Sequence, residues 1–221
     1  MSNEELSSVK SLGEGVYLQL KERIIGGYYT DEYHLVETKL CEEFNVSRTP
    51  IREAIAQLEL DGLAKTLPNR GTVVATVTVK DIADIYDIRM RIEGLAARLA
   101  AVNMTNEDLK ELEEIMDLED YHTVKGRIDK IVQFDSKFHS CIYRGTKSKI
   151  LIQTLSMFHE HIKRARNSSL SVNGRAAEAL KEHEAIFGSI RNRDPERAEE
   201  LAIVHIKNAR ESILKSFANM K

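Results

Sequence analysis

Cysteine is scarce in this chain of 221 residues: Cys41 and Cys141 stand far apart and form no CxxC pair. A disulfide framework and a thiolate zinc site are thereby excluded, and two reduced core thiols are expected. No apolar run approaches the roughly 20 residues that a membrane span requires. The N-terminus also lacks the charged, apolar and small-residue layout of a signal peptide, so the cytoplasm is the expected location. An excess of positive charge is missing too: the formal net charge is -3, and the first 78 residues carry eight basic side chains against twelve acidic ones. A DNA-binding chain is often basic, so any contact with nucleic acid must rest on where the few basic residues stand. What the chain does have is a hydrophobic fraction of 42%, enough to fill one large core or two modest ones.

Residues 1–12 are polar and Ser-rich without a sustained period, which predicts a loose arm. The spacing of Val16, Leu20 and Ile24 predicts a first helix, ended by Gly26 and Gly27. A second helix is predicted from Thr38, whose hydroxyl can cap it, with Leu40 and Phe44 inward. Ser47 is expected to cap a third over 49–61, with Pro50 in its first turn, Ile51, Ile55, Leu58 and Leu60 near one face, and Gly62 as the stop. Two β-rich runs, 63–67 and 72–77, joined through Pro68, Asn69, Arg70 and Gly71, predict a hairpin. From residue 79 the texture is helical throughout. Thr78 with Asp81 resembles a capping box, opening a helix to about Val102 with a stripe of Ile82, Ile85, Ile92, Ala96 and Leu99. Further helices are predicted over about 105–118, 125–143, 148–166, 175–192 and 194–217. The fold class is therefore mainly α: an N-terminal winged helix-turn-helix over 1–78 and an all-α helical bundle over 79–221.

A helix-turn-helix needs a supporting helix, a tight turn and a second helix whose first turn meets base edges in the major groove. Ser47, Arg48, Thr49 and Arg52 crowd donors into one turn and its cap. Arginine can pair with guanine O6 and N7, while hydroxyls and a helix N-terminus suit phosphate oxygens. Arg70 and Gly71 at the hairpin tip resemble a wing whose bare backbone approaches DNA closely. The alternative is that Arg48 and Arg52 are solvated charges paired with Glu53 and Glu59. The run Val46 to Ala54, with Leu35, Glu37 and Leu40 before it, Asp61, Gly62 and Leu63 after it and then Arg70 with Gly71, closely resembles the signature of the GntR family. This resemblance covers residues 16–77 and implies DNA contacts from Thr38, Ser47, Arg48, Thr49, Pro50, Arg52, Arg70 and Gly71. Cys41 departs from the usual alanine, Thr38 stands where some relatives carry arginine, and 28–34 lacks a Pro-Gly lead-in. These differences bear on base preference.

In the bundle, a helical period of about 100° per residue puts Asp135 and His139 in the apolar stripe of Ile128, Ile131, Phe138 and Ile142. His183 shares a face with Ala179, Leu180, Ile186 and Phe187, and His205 lies beside Leu201 and Val204. Burying an ionised carboxylate alone is costly, and a cation relieves it while using neutral imidazoles as ligands. Asp135, His139, His183 and His205 thus form a candidate transition-metal site, the alternative for each histidine being a hydrogen-bonded core residue. His122, His159 and His161 lack such partners and read as surface positions or as residues standing behind the ligands. Arg89 points inward as well. A buried guanidinium wants a carboxylate or phosphate, either Glu93 at i+4 or the acid group of a bound effector. Asn208, one turn beyond His205, is a second effector candidate, and Arg164 and Arg166 are weaker ones.

The stretch 82–101, then Phe134, Asp135, Phe138 and His139, then Glu182 with His183, then His205 with Ile206, resembles the metal-binding effector domain (FCD type) of the FadR subgroup of that family. The resemblance covers nearly all of 80–218. It implies metal ligation by Asp135, His139, His183 and His205 and argues against an acyl-CoA effector. Together these readings predict a transcription regulator, by family habit a repressor, that binds a pseudo-palindromic double-stranded DNA operator as a homodimer under the control of a small organic acid. His and Asp ligands suit zinc, nickel and manganese alike, zinc first. The competing readings are a metal-dependent hydrolase and a DNA-binding regulator whose metal is purely structural.

Overall fold

Ser11 opens the first helix by accepting the Glu14 N–H on its hydroxyl, and α1 runs Leu12–Ile25 with Val16, Leu20 and Ile24 buried. In the computed structural model, which describes residues 11–162, 170 and 174–218, two compact units meet in sequence between Val77 and Thr78. The expectation of a loose arm over 1–12 fails at Ser11 and Leu12, and its remainder, residues 1–10, lies outside the described residues. Helix α2 spans Glu37–Phe44 and α3 Arg48–Leu60. Between them Asn45 takes a left-handed backbone (φ 52°), and the Val46 N–H reaches back to the Cys41 carbonyl at 3.1 Å. Asparagine tolerates that conformation better than most residues, so the turn can be tight.

Two capping expectations need correction. Val36, not Thr38, precedes α2 and makes no side-chain bond, while Thr38 stands exposed within the first turn. Ser47 does occupy the N-cap position of α3, yet its hydroxyl makes no capping bond. Pro50 is buried in the first turn, where amide hydrogens have no helical partner to lose. Ile51, Ile55 and Leu58 face the core, but Leu60 is 80% exposed, because two residues past Leu58 the helix has turned the side chain to the far side. The hairpin pairs β1 (Ala64–Leu67) with β2 (Gly71–Val74) antiparallel, Leu67 opposite Gly71. Asn69 and Gly71 both hold positive φ at the tip, and an isolated bridge from His34 to Val73 adds a third edge.

The second unit contains six of the nine helices found among the described residues: α4 (Val79–Asn103), α5 (Asn106–Val124), α6 (Ile128–Gly145), α7 (Lys149–His161), α8 (Arg175–Arg191) and α9 (Pro195–Ala218). Thr78 with Asp81 and Thr105 with Asp108 form complete capping boxes, and Asp194 accepts the Arg197 N–H at 3.0 Å at the head of α9. Helices α4 and α9 run antiparallel, tied by Arg98 to Glu196 and Glu199 and by Arg210 to Asp87. Gly94 permits their close approach, since a Cβ there would lie 2.8 Å from Ile203 Cγ1. The buried line of α4 is Tyr86, Arg89, Glu93, Ala97 and Ala100, whereas Ile85, Ile92 and Leu99 are only half-buried. Helix α5 continues six residues beyond the expected end at 118, because its inner face is carried on by Glu119 and His122 rather than by aliphatic side chains. Among the described residues, no helix is long and apolar enough to cross a membrane.

Candidate metal centre and nucleic-acid interface

Five helices of the bundle send polar side chains to one buried point. His139 from α6, His183 from α8 and His205 from α9 are at most 4% exposed. His205 Nε2 lies 3.3 Å from His183 Nε2 and 3.3 Å from His139 Nε2, and all three ligand nitrogens fall within 4.8 Å of one another. Each ring presents its other nitrogen to a carboxylate. His139 Nδ1 is 3.0 Å from Glu93 Oε2, His183 Nδ1 is 3.0 Å from both Glu119 oxygens, and His205 Nδ1 is 2.7 Å from Glu182 Oε2. A carboxylate at Nδ1 fixes the proton there and leaves Nε2 as a lone-pair donor, the arrangement that orients histidine ligands around metals. Three converging lone pairs repel one another unless a cation sits among them. With zinc–nitrogen bonds of about 2.0–2.1 Å and tetrahedral angles, ligand nitrogens stand roughly 3.3–3.4 Å apart, which the two 3.3 Å separations match. The residues present therefore fit a metal ion.

Asp135 is buried, and its carboxylate groups with Glu119 and His183 within 4.8 Å rather than with all three histidines. It also lines a small cavity with Tyr86, Arg89, His139, Arg175 and His205. That cavity, of about 20 Å³, has room for roughly one water-sized particle. Arg89, 1% exposed, donates from Nε to Glu93 Oε1, so the internal ion pair is formed. Among the described residues its Nη1 is buried without a hydrogen-bond partner, and its guanidinium lies 4.8 Å from the Tyr86 ring centroid. Glu182 is held by a bidentate Arg175 at 2.9 and 2.8 Å and by Asn208 Nδ2 at 2.8 Å. Asn208 is thus engaged with the carboxylate behind His205. Arg164 and Arg166 lie outside the described residues, as does the side chain of His161.

Charge follows from these contacts. Burial alone would raise the Glu93 carboxyl, but the Arg89 guanidinium and His139 outweigh it and hold the group well below the usual range. Glu182 is likewise held far down against burial, by His205, Arg175 and Asn208. Burial drives His205 down to about 3, with the neighbouring histidines adding to the effect, so it is a neutral donor at ordinary pH. At His183 burial also pulls downward, but Glu119, Asp135 and Glu182 overcome it and the net shift is upward. Of the remaining histidines, His159 is 4% exposed with its ring 5.6 Å from that of His139, and His122 stacks on Phe134 at 5.3 Å. Glu119 and Arg175 escape a reading of the sequence because they sit where the apolar periodicity lapses. The i to i+7 spacing of Arg175 and Glu182 on α8 was the one available signal.

On the first unit, Ser47, Arg48 and Thr49 are exposed together at the head of α3, with Thr38 exposed at the head of α2 and Arg70 and Gly71 exposed at the hairpin tip. Arg52 pairs across the motif with Glu37, its Nε 3.0 and 2.9 Å from the two oxygens, rather than with Glu53 or Glu59. The Arg52 side chain remains 63% exposed, so the pair is screened and easily reorganised.

Comparison with known proteins finds two family models along the chain: "Bacterial regulatory proteins, gntR family" over residues 12–74 and "FCD domain" over residues 84–208. The HTH-type transcriptional regulator YdhC of Bacillus subtilis is 31% identical over 193 residues, 87% of this chain and 86% of that one. The gluconate operon transcriptional repressor of Bacillus licheniformis is 31% identical over 187 residues, covering 83% and 74% of the two chains. Among solved structures, E. coli McbR/YncC has the same fold, with a TM-score of 0.78 at 22% identity over 94% of this chain and 99% of that one.

Proposed function

We propose a metal-dependent, acid-responsive regulator of transcription, from the premise that this chain belongs to the GntR family of bacterial regulatory proteins and carries an FCD domain. That family binds DNA and is not enzymatic, which removes the hydrolase alternative. The first unit, ending at Val77, is the DNA-binding domain. Arg48 and Arg52 read guanine edges from the first turn of α3, and Ser47, Thr49 and Thr38 hold phosphates, the uncapped Ser47 hydroxyl being available for this. Pro50 shapes the turn that presents them. Arg70 and Gly71 form the wing. Few basic residues serve, but they stand on one helix head and one hairpin tip. Acting in the cytoplasm as a homodimer, the protein presents two such domains to the half-sites of a pseudo-palindromic operator, as a repressor.

The second unit, opening at Thr78, is the effector and dimerisation domain. Its metal, zinc first with nickel or manganese as alternatives, is held by His139, His183 and His205 with Asp135 beside them. When bound, the ion supplies a Lewis-acidic position for a carboxylate oxygen. The observation that carries the effector reading is Arg89 Nη1, a buried cationic donor with no hydrogen-bond partner among the described residues, at the rim of the cavity shared with Asp135, His139 and His205. A buried guanidinium left partly unsatisfied is costly, and a small organic acid would complete it. Asn208 acts one step back, by holding Glu182. Binding then shifts the population of DNA-competent arrangements. A second reading, in which the ion is purely structural, is favoured by the cavity's size of about 20 Å³. A gel-shift series with DNA selected from a random pool separates the two: a salt-sensitive, sequence-selective complex released by small carboxylic acids supports regulation, and release by none of them leaves the structural role. No selective complex at all overturns the proposal.

A further inference from the structure

Of the three carboxylates that back the histidines, two are themselves neutralised. Arg89 holds Glu93 and Arg175 holds Glu182. Glu119 differs: among the described residues its ion pair is with His183 alone, although it is 1% exposed. Asp135 stands beside it within the same 4.8 Å group.

We infer that Glu119 is a positioning residue for the metal, fixing His183 as an Nε2 donor. The geometry has two restraints on one ring. Phe138 stacks on the face of His183 with centroids 4.0 Å apart and an interplanar angle of 18°. Glu119 takes its edge at Nδ1 through both oxygens. Neither His183 nor Glu119 lines the cavity that His139, His205 and Asp135 share with Arg89, so this pair forms the closed back of the site and leaves the other side to a ligand. The inference rests on the metal reading given above.

The test is competition titration of zinc against a chromophoric chelator, using the metal-stripped full chain and its Glu119→Gln variant. Glutamine keeps the reach and can still accept the Nδ1 hydrogen, while removing the charge. Loss of an outer partner of this kind costs about 10–100-fold in metal affinity, and that loss is expected with the metal-free thermal midpoint retained. A merely structural role moves the midpoint of the metal-free chain and leaves zinc affinity alone. Should Glu119→Gln not fold, Glu119→Asp, which keeps the charge and shortens the reach, is expected to weaken zinc in the same assay. Wild-type zinc affinity in whichever variant folds overturns the inference alone. A wild-type chain that binds no zinc overturns the metal reading and this inference with it.

Discussion

Replacing Arg89 by methionine isolates the energetic weight of the buried pair on α4. Arg89 and Glu93 have side-chain exposures of 1% and 5%, so solvent does not screen them. Methionine fills most of the vacated apolar space, but Glu93 is then left with His139 alone. Removing one partner of a buried pair costs about 3–5 kcal/mol because the other charge is stranded, and the retained packing points to the lower end. In a unit of this size each kcal/mol lowers the midpoint by roughly 2–4 °C, so a drop on the order of 10 °C is predicted for its transition in scanning calorimetry. The double variant Arg89→Met with Glu93→Gln removes the stranded carboxylate while keeping an acceptor for His139 Nδ1. It is expected to recover about 1–2 kcal/mol relative to the sum of the single changes. A single variant within about 1 kcal/mol of wild type, or a strictly additive double, refutes the reasoning.

On the DNA side, Arg48→Ala is expected to cost about 1–3 kcal/mol in operator affinity and to relax selection at one base position, measured by titrating a base-substitution series. Arg70→Ala should weaken all sequences alike and reduce the slope of log affinity against log salt by about 1. Acid should destabilise the metal-free second unit. Glu93 and Glu182 have folded pKa values below the reference 4.5, so their stabilisation is complete above that pH and is lost as the pH falls below it. His205, held at about 3 against a reference of 6.5, is neutral when folded, and its share is lost from pH 6.5 downward. His183 is shifted upward, so its share is complete below 6.5 and is lost only as the pH rises above it. Thermal midpoints between pH 6.5 and pH 4 should fall steadily, and a flat profile contradicts the assignment.

Periodicity and caps made most of the architecture legible. Pro50 behind Ser47, the two threonine-aspartate capping boxes and Asp194 with Pro195 mark helix starts by local chemistry, which needs no tertiary knowledge. The three histidines could be read because each interrupts an aliphatic stripe. The carboxylates behind them could not be read in the same way. Glu119 lies where the stripe of α5 fades, so its burial follows only from the helix packed against it, and for the same reason the apolar period stops short of the helix end at Val124. Thr38 resembled a cap because its hydroxyl is suited to one, yet the helix begins a residue sooner at Glu37, which turns to Arg52 across the motif. Long-range pairs of that kind have no sequence period. Asn208 likewise shares a turn with His205, but the partner that engages its amide lies on another helix.

The central claim, that the bundle is organised around one divalent ion, is tested most directly by elemental analysis of the full chain purified without chelators, beside the variant carrying His139→Asn, His183→Asn and His205→Asn. One transition-metal ion per chain in the first and none in the second is the predicted result. Equal, substoichiometric metal in both would contradict it, and the three imidazoles would then be held together by their carboxylates alone.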